Sequence, residues 1–229
     1  GDMIFSGNSS AKIVNLGTIN AIDGGDIFLI AQEVENYGNL NAPGGTVGLA
    51  GGTRVMLKSE AMGERISILP GSKGGKVTNG TSGTVTSAIA ELKAAGGNEY
   101  SLAINNDGLV RATRFENRGG KIYLGSGGGS RVRNRGTLRA PKVQIKAPTG
   151  TVENSGMIDA GSEVGNGGEI EIEAESVIGT VGGFLKTTGL NNGGSIKITA
   201  SGELRLDDSI TAVGEKGFGG SIRLTGDTV

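Results

Sequence analysis

Val34-Glu-Asn-Tyr-Gly-Asn-Leu-Asn-Ala42, followed by Pro43-Gly-Gly-Thr-Val-Gly-Leu-Ala50, decides how this chain is read. Side chains of an extended backbone alternate between faces, so Val34, Asn36, Gly38, Leu40 and Ala42 share one side. Val47 and Leu49 share a side of a second short strand, introduced by a Pro-Gly-Gly turn. The phrase then returns with variations. Ile13-Val-Asn15-Leu-Gly17-Thr-Ile19-Asn-Ala21 leads to Gly24-Gly25-Asp-Ile27-Phe-Leu29, and Ile104-Asn-Asn106-Asp-Gly108-Leu-Val110-Arg-Ala112 leads to Gly119-Gly120-Lys-Ile122-Tyr-Leu124. Val132 to Ala140 is followed by Lys142-Val-Gln-Ile145, and Val152 to Ala160 by Gly167-Gly168-Glu-Ile170-Glu-Ile172. Gly193-Gly194-Ser-Ile196 and Gly219-Gly220-Ser-Ile222 keep the second half alone.

A phrase that recurs every 20 to 27 residues marks a solenoid. No strand of this length buries its apolar face by itself, but stacking on the next copy does so. The expected fold is all-β, a right-handed parallel β-helix of about seven to nine coils. At ~4.8 Å per coil it forms a rod roughly 35–45 Å long. Aligning the Gly-Gly-x-Ile phrases sets Lys142 beside Glu169, Lys146 beside Glu173 and Glu171 beside Lys197. Opposite charges on neighbouring rungs favour that register by a few tenths of a kcal/mol per exposed pair. The charges played no part in the alignment and so support it independently.

Asn15, Asn36, Asn106, Asn134 and Asn154 share one slot of the repeat. Stacking places them in a structural column, where amides both donate and accept along the rod axis. The paired glycines suit places where a Cβ would clash. They are not phosphate loops, since no Gly-x-x-x-x-Gly-Lys-Ser/Thr is present and strands follow them.

Glycine at 45 of 229 residues is far above the usual ~7%, but it has no three-residue period, which excludes collagen. Aromatics at 3% suit a thin core of small side chains. The chain has no Cys and no His, which excludes disulfides, thiolate metal sites and Ser-His-Asp triads within it. A net charge of −1 makes no electrostatic case for nucleic acid or an anionic membrane. No run reaches the roughly 18 apolar residues of a spanning helix. The expected organisation is one domain over 1–229, a fragment of a longer repetitive protein, with an irregular insertion region at 53–100. Gly74-Gly75-Lys-Val77 reads there as the second half of the unit, after an inserted loop or hairpin. Ala88-Ile-Ala-Glu-Leu-Lys-Ala-Ala95 reads as a short inserted helix near residues 87–96, stopped by Gly96-Gly97.

Phe5-Ser-Gly with Ile13 to Ala21, Leu40-Asn-Ala-Pro-Gly-Gly-Thr-Val-Gly-Leu-Ala-Gly-Gly-Thr-Arg-Val55, and Leu102 to Ala112 with Asn117-Arg-Gly-Gly-Lys-Ile122 resemble the filamentous-haemagglutinin family of bacterial exoproteins. The resemblance covers nearly the whole chain and is weaker over 56–100. It implies a parallel β-helix and export through an outer-membrane transporter of the two-partner type. It also implies a secreted or cell-surface location and a non-catalytic, usually adhesive, role. The family's Asn-Pro-Asn secretion signature is absent, which would put this segment downstream of the secretion domain. No receptor-binding motif carries over.

The competing class is a carbohydrate-active β-helix, a polysaccharide lyase or hydrolase using Asp207-Asp208, Asp159 or Glu163. Neighbours in a strand point opposite ways, so Asp207 and Asp208 would not converge on one bond, and no Trp offers a sugar-stacking surface. Calcium binding would need a Gly-Gly-x-Gly-x-Asp repeat, which Gly165-Asn-Gly-Gly-Glu169 only approaches. Asn8-Ser-Ser10 and Asn79-Gly-Thr81 match glycosylation acceptors but arise easily by chance. The expected reading carries no cofactor, no metal and no catalytic residue.

Overall fold

The computed structural model describes residues 1–22, 24–59, 63–115 and 118–227; Asn117, quoted in the family resemblance, lies outside them. The protein is all-β, with no helix among the described residues, and a 20-stranded sheet dominates it. The strands of that sheet form three stacks, all parallel.

In the diglycine stack Ile27, Val47, Ala90, Ile122, Val143, Ile170, Ile196 and Ile222 follow one another in register. Ile19, Leu40, Val85, Val110, Leu138, Ile158, Leu185 and Ile210 do the same in a second, alanine stack. Ile13, Val34, Val77, Ile104, Val132, Val152, Val177 and Leu204 do so in a third, asparagine stack. These columns meet in one continuous core running from Ile27 to Leu204. Burying each Ile or Leu contributes about 1.5–3 kcal/mol, and only the neighbouring rungs provide that burial.

The diglycine motif has a steric origin. A Cβ on Gly168 would overlap the carbonyl oxygen of Pro141, one on Gly194 that of Gly168, and one on Gly220 that of Gly194. The backbones of successive rungs approach too closely at this corner for any side chain.

The helix expected near 87–96 is absent. Thr84–Ala94 is a strand, and Ala88, Ala90, Leu92 and Ala94 are all buried. Its second half lies between 46–51 on one side and 121–126 on the other. A helix here would leave both neighbouring edges without hydrogen-bond partners and open the core. Those losses outweigh the helix preference of Ala, Leu, Glu and Lys, which amounts to tenths of a kcal/mol per residue.

Gly74-Gly75-Lys-Val77 is also placed differently from its expected position. Val77 pairs with Val34 and Ile104, so it belongs to the asparagine stack, and the second half of that repeat is Ile89 to Ala94. The 53–100 stretch therefore divides in two. Lys76–Asn79 and Thr84–Ala94 are rungs of the stacks. Arg54–Leu57 and Ile66–Ile68 form an antiparallel hairpin outside them, joined by Met3–Ser6 on its other edge. The hairpin has its own small core of Val55, Leu57 and Ile66 against Ala50, with Phe28, Ile30 and Ile68 beside it.

Candidate functional site

Asn15, Asn36, Asn106, Asn134 and Asn154 stand in one ladder with a sixth member, Asn79. Each side-chain amide donates to the next carbonyl oxygen: Asn15 to Asn36 at 2.8 Å, Asn36 to Asn79 at 2.8 Å, and Asn79 to Asn106 at 2.9 Å. Asn106 to Asn134 and Asn134 to Asn154 follow at 2.8 Å each. Asn79 escapes a reading that assigns Val77 to the diglycine half, although Val77-Thr-Asn79 carries the spacing of Val34-Glu-Asn36. Its amide is fully buried and engaged at both ends, so the Asn79-Gly-Thr81 triplet offers no side chain for a glycan.

The ladder ends on a carboxylate. Asn154 pairs in register with Gly179, and a Cβ there would overlap the Asp208 carboxylate, which occupies the space glycine leaves. Asn154 Nδ2 donates to Asp208 Oδ2 at 3.5 Å, while Oδ1 is buried without a donor among the described residues. Burial pushes the Asp208 carboxyl above the usual range, against the opposing bond from Asn154. Asp208 is thus a structural terminus of the ladder, while Asp207 is exposed. Asp159 accepts Arg139 at 3.0 and 2.9 Å and the Gly161 amide at 2.8 Å, which commits its oxygens to the fold. Glu163 is an exposed loop residue. The four acidic candidates are therefore held apart or occupied, and no cluster of three metal-ligating side chains stands among the described residues.

The outer face of the diglycine stack has two parts. Over its first rungs it lies beneath the hairpin. The Glu91 carboxylate points out of the sheet and accepts the Arg65 amide at 2.6 Å and the Ile66 amide at 2.8 Å. Arg65 stacks 4.8 Å over the Phe28 ring and pairs with Asp26, and Lys93 pairs with Glu64 beside the Tyr123 ring. Gly48 is required here, because a Cβ would run into Phe28 and the tip of Ile66. A cavity of about 520 Å³ lies where the hairpin's Ile68 to Ser72 overhang Lys93, Ala95 and Gly125 to Gly128.

Beyond the hairpin the same face is open and charged. Lys142 pairs with Glu169 at 2.9 Å, Lys146 with Glu173 at 3.8 Å and Lys197 with Glu171 at 3.5 Å, the three pairs expected from the alignment. Alongside it, a groove of about 1230 Å³ follows the glycine corner, with Lys121 and Lys142 at one end and Ser195 and Ser221 at the other. The glycine amides on its floor are bonded within the protein: Gly168 to Ala160, Gly194 to Thr187 and Gly220 to Ala212. They form no ready-made anion cradle.

No protein-family model matches the chain, and no curated protein sequence does. The family resemblance therefore stands on the repeated phrases quoted above.

Proposed function

We propose that this chain is a non-catalytic structural and adhesive segment of a large secreted bacterial surface protein of the filamentous-haemagglutinin type. In this reading the three stacks are the three sides of a right-handed parallel β-helix. The observation that carries it is the register: apolar columns stacked eight rungs deep in three stacks share one core through their interior rungs, and beyond the hairpin the rungs present charged and polar side chains outward. A stack held in this way gives a stiff, extendable scaffold with a long surface for its volume, which suits display at a distance from a cell. The parent protein reaches the surface through an outer-membrane transporter of the two-partner type, and the open charged face offers contact to a receptor.

The test uses the whole chain. Fluorescently labelled protein is titrated onto bacterial and animal cells, and the same preparation is incubated with a panel of acidic and neutral polysaccharides. Saturable cell binding without glycan cleavage is expected. Turnover of a glycan bond at enzyme-like rates, or no binding to any cell surface, overturns the proposal.

A further inference from the structure

The corner between the alanine and diglycine stacks changes length from rung to rung. On the fourth rung, that of Ile122, residues 113–120 bridge it, and on the sixth, that of Ile170, residues 160–168 do so. On the fifth rung only Ala140 and Pro141 separate Thr137–Arg139 from the strand that starts at Lys142. The short connection leaves a notch between the loops of its two neighbours, and the groove along the glycine corner includes it. The loops that wall the notch belong to rungs two spacings apart, about 10 Å, which admits one extended chain and no double helix. Rungs lie on both sides of it, so the notch is internal to the stacks.

The notch is cationic. Arg114, Lys121 and Lys142 line it against one acid, Glu169. Lys121 stands in register with Lys142, and on the other side of the same corner Arg111 stands in register with Arg139. Like charges on neighbouring rungs oppose stacking. The fifth-rung members are compensated, Lys142 by Glu169 and Arg139 by Asp159. The fourth-rung members are not. Lys121 and Arg111 have Ile89 and Thr86 as their neighbours on the third rung. Neither they nor Arg114 pair with an acidic side chain among the described residues.

We propose that the notch binds an extended acidic segment of a partner protein, its carboxylates on Arg114 and Lys121 and its main chain running along the groove. Charge complementarity selects the acidic side chains. Length suits a peptide: from Lys121 to Ser221 the groove covers four rung steps, about 19 Å, or roughly six residues of extended chain. Along it Asn166 and Ser195 offer amide and hydroxyl groups to a peptide backbone. No aromatic ring lines it, so it lacks the stacking surface that bases and sugar rings use. This inference rests on the corner loops and not on the adhesive reading, and the peptide is expected to bind whether or not the chain attaches to cells.

Fluorescence anisotropy of a labelled hexaglutamate peptide, titrated with the whole chain, tests it. Saturable binding that weakens as salt rises is expected, and no binding of hexalysine. Arg114→Gln with Lys121→Gln should weaken hexaglutamate binding about tenfold. Because neither side chain holds an ion pair, the unfolding curve of that variant is expected to stay close to wild type. Lys146→Gln with Lys197→Gln removes the same charge from the open face outside the groove and should change affinity by no more than about twofold. Hexagalacturonate is run alongside as the saccharide of like charge and is expected to bind more weakly. Three outcomes overturn the proposal: no binding of hexaglutamate, equal losses in the two double variants, or hexagalacturonate binding through Arg114 and Lys121 more tightly than the peptide.

Discussion

Glu91 and Glu171 occupy equivalent outward slots on one sheet, three rungs apart, yet their surroundings drive them in opposite directions. Glu91 lies under the hairpin, where burial pushes its carboxyl above the usual range despite the amides of Arg65 and Ile66. Glu171 lies on the open half, where the bond from Gln144, aided by Lys197, holds its carboxyl below that range. The repeat is the same in both places. The difference comes from 20 or so residues inserted between two rungs, which fold back over one half of the face and leave the other half to water and ion pairs. A stack of parallel rungs can therefore change the chemistry of one stretch of its surface without disturbing the register beneath.

The largest expected effect comes from removing the acceptor under the hairpin. Glu91→Ala strands two buried backbone donors and should cost about 2–4 kcal/mol in the hairpin's attachment. Denaturant unfolding and tryptic cleavage at Arg65 and Lys73 measure it. Unchanged cleavage would mean that the apolar contacts of Ile66 and Phe28 hold the hairpin without Glu91. Next comes Asn106→Ala, which interrupts the ladder shared by both halves and should cost about 1–3 kcal/mol. Hydrogen exchange is expected to quicken at 76–79 and 131–134 together; a change confined to 102–106 would show that the amides do not act as a continuous ladder.

The pH dependence sharpens the contrast through its sign. A carboxyl raised in the folded state binds more protons there than in the unfolded chain. The contribution of Glu91 is therefore full below the ordinary glutamate value and is lost as pH rises through its folded value. Glu171, depressed, contributes above the ordinary value and loses that contribution as pH falls through its folded value. Glu91→Gln should flatten the stability profile on the alkaline side of the glutamate range, and Glu171→Gln on its acid side. Equal slopes in the two variants would break the comparison. The smallest effect belongs to Lys146→Gln, which removes a 3.8 Å pair whose side chains are about half exposed and should change stability by no more than about 0.5 kcal/mol.

Much of the stack was legible in the chain because its signal repeats. Ile170, Ile196 and Ile222 were recognisable as rung neighbours from Gly-Gly-x-Ile, and the lysine and glutamate positions agreed with that alignment without having guided it. The five asparagines were legible for the same reason. Asn79 was not, since two glycines ahead of Val77 imitate the other half of the unit. Ala88 to Ala95 misled in a different way. Its residues favour helix locally, and the strand wins only because strands 46–51 and 121–126 flank it and both of its faces are buried.

The amino-acid order alone determined the repeat, its slots and its rung-to-rung charge pairs, because each is a periodic property carried by residues spaced along the chain. Tertiary structure decided which segments enter the stack against their local preference, where the 53–75 insertion lies, and which of two like glutamates is buried. The physical reason is common to all three. Each depends on the free energy of filling an edge or covering a face supplied by residues distant in sequence, and that term exceeds the few tenths of a kcal/mol that local preference contributes.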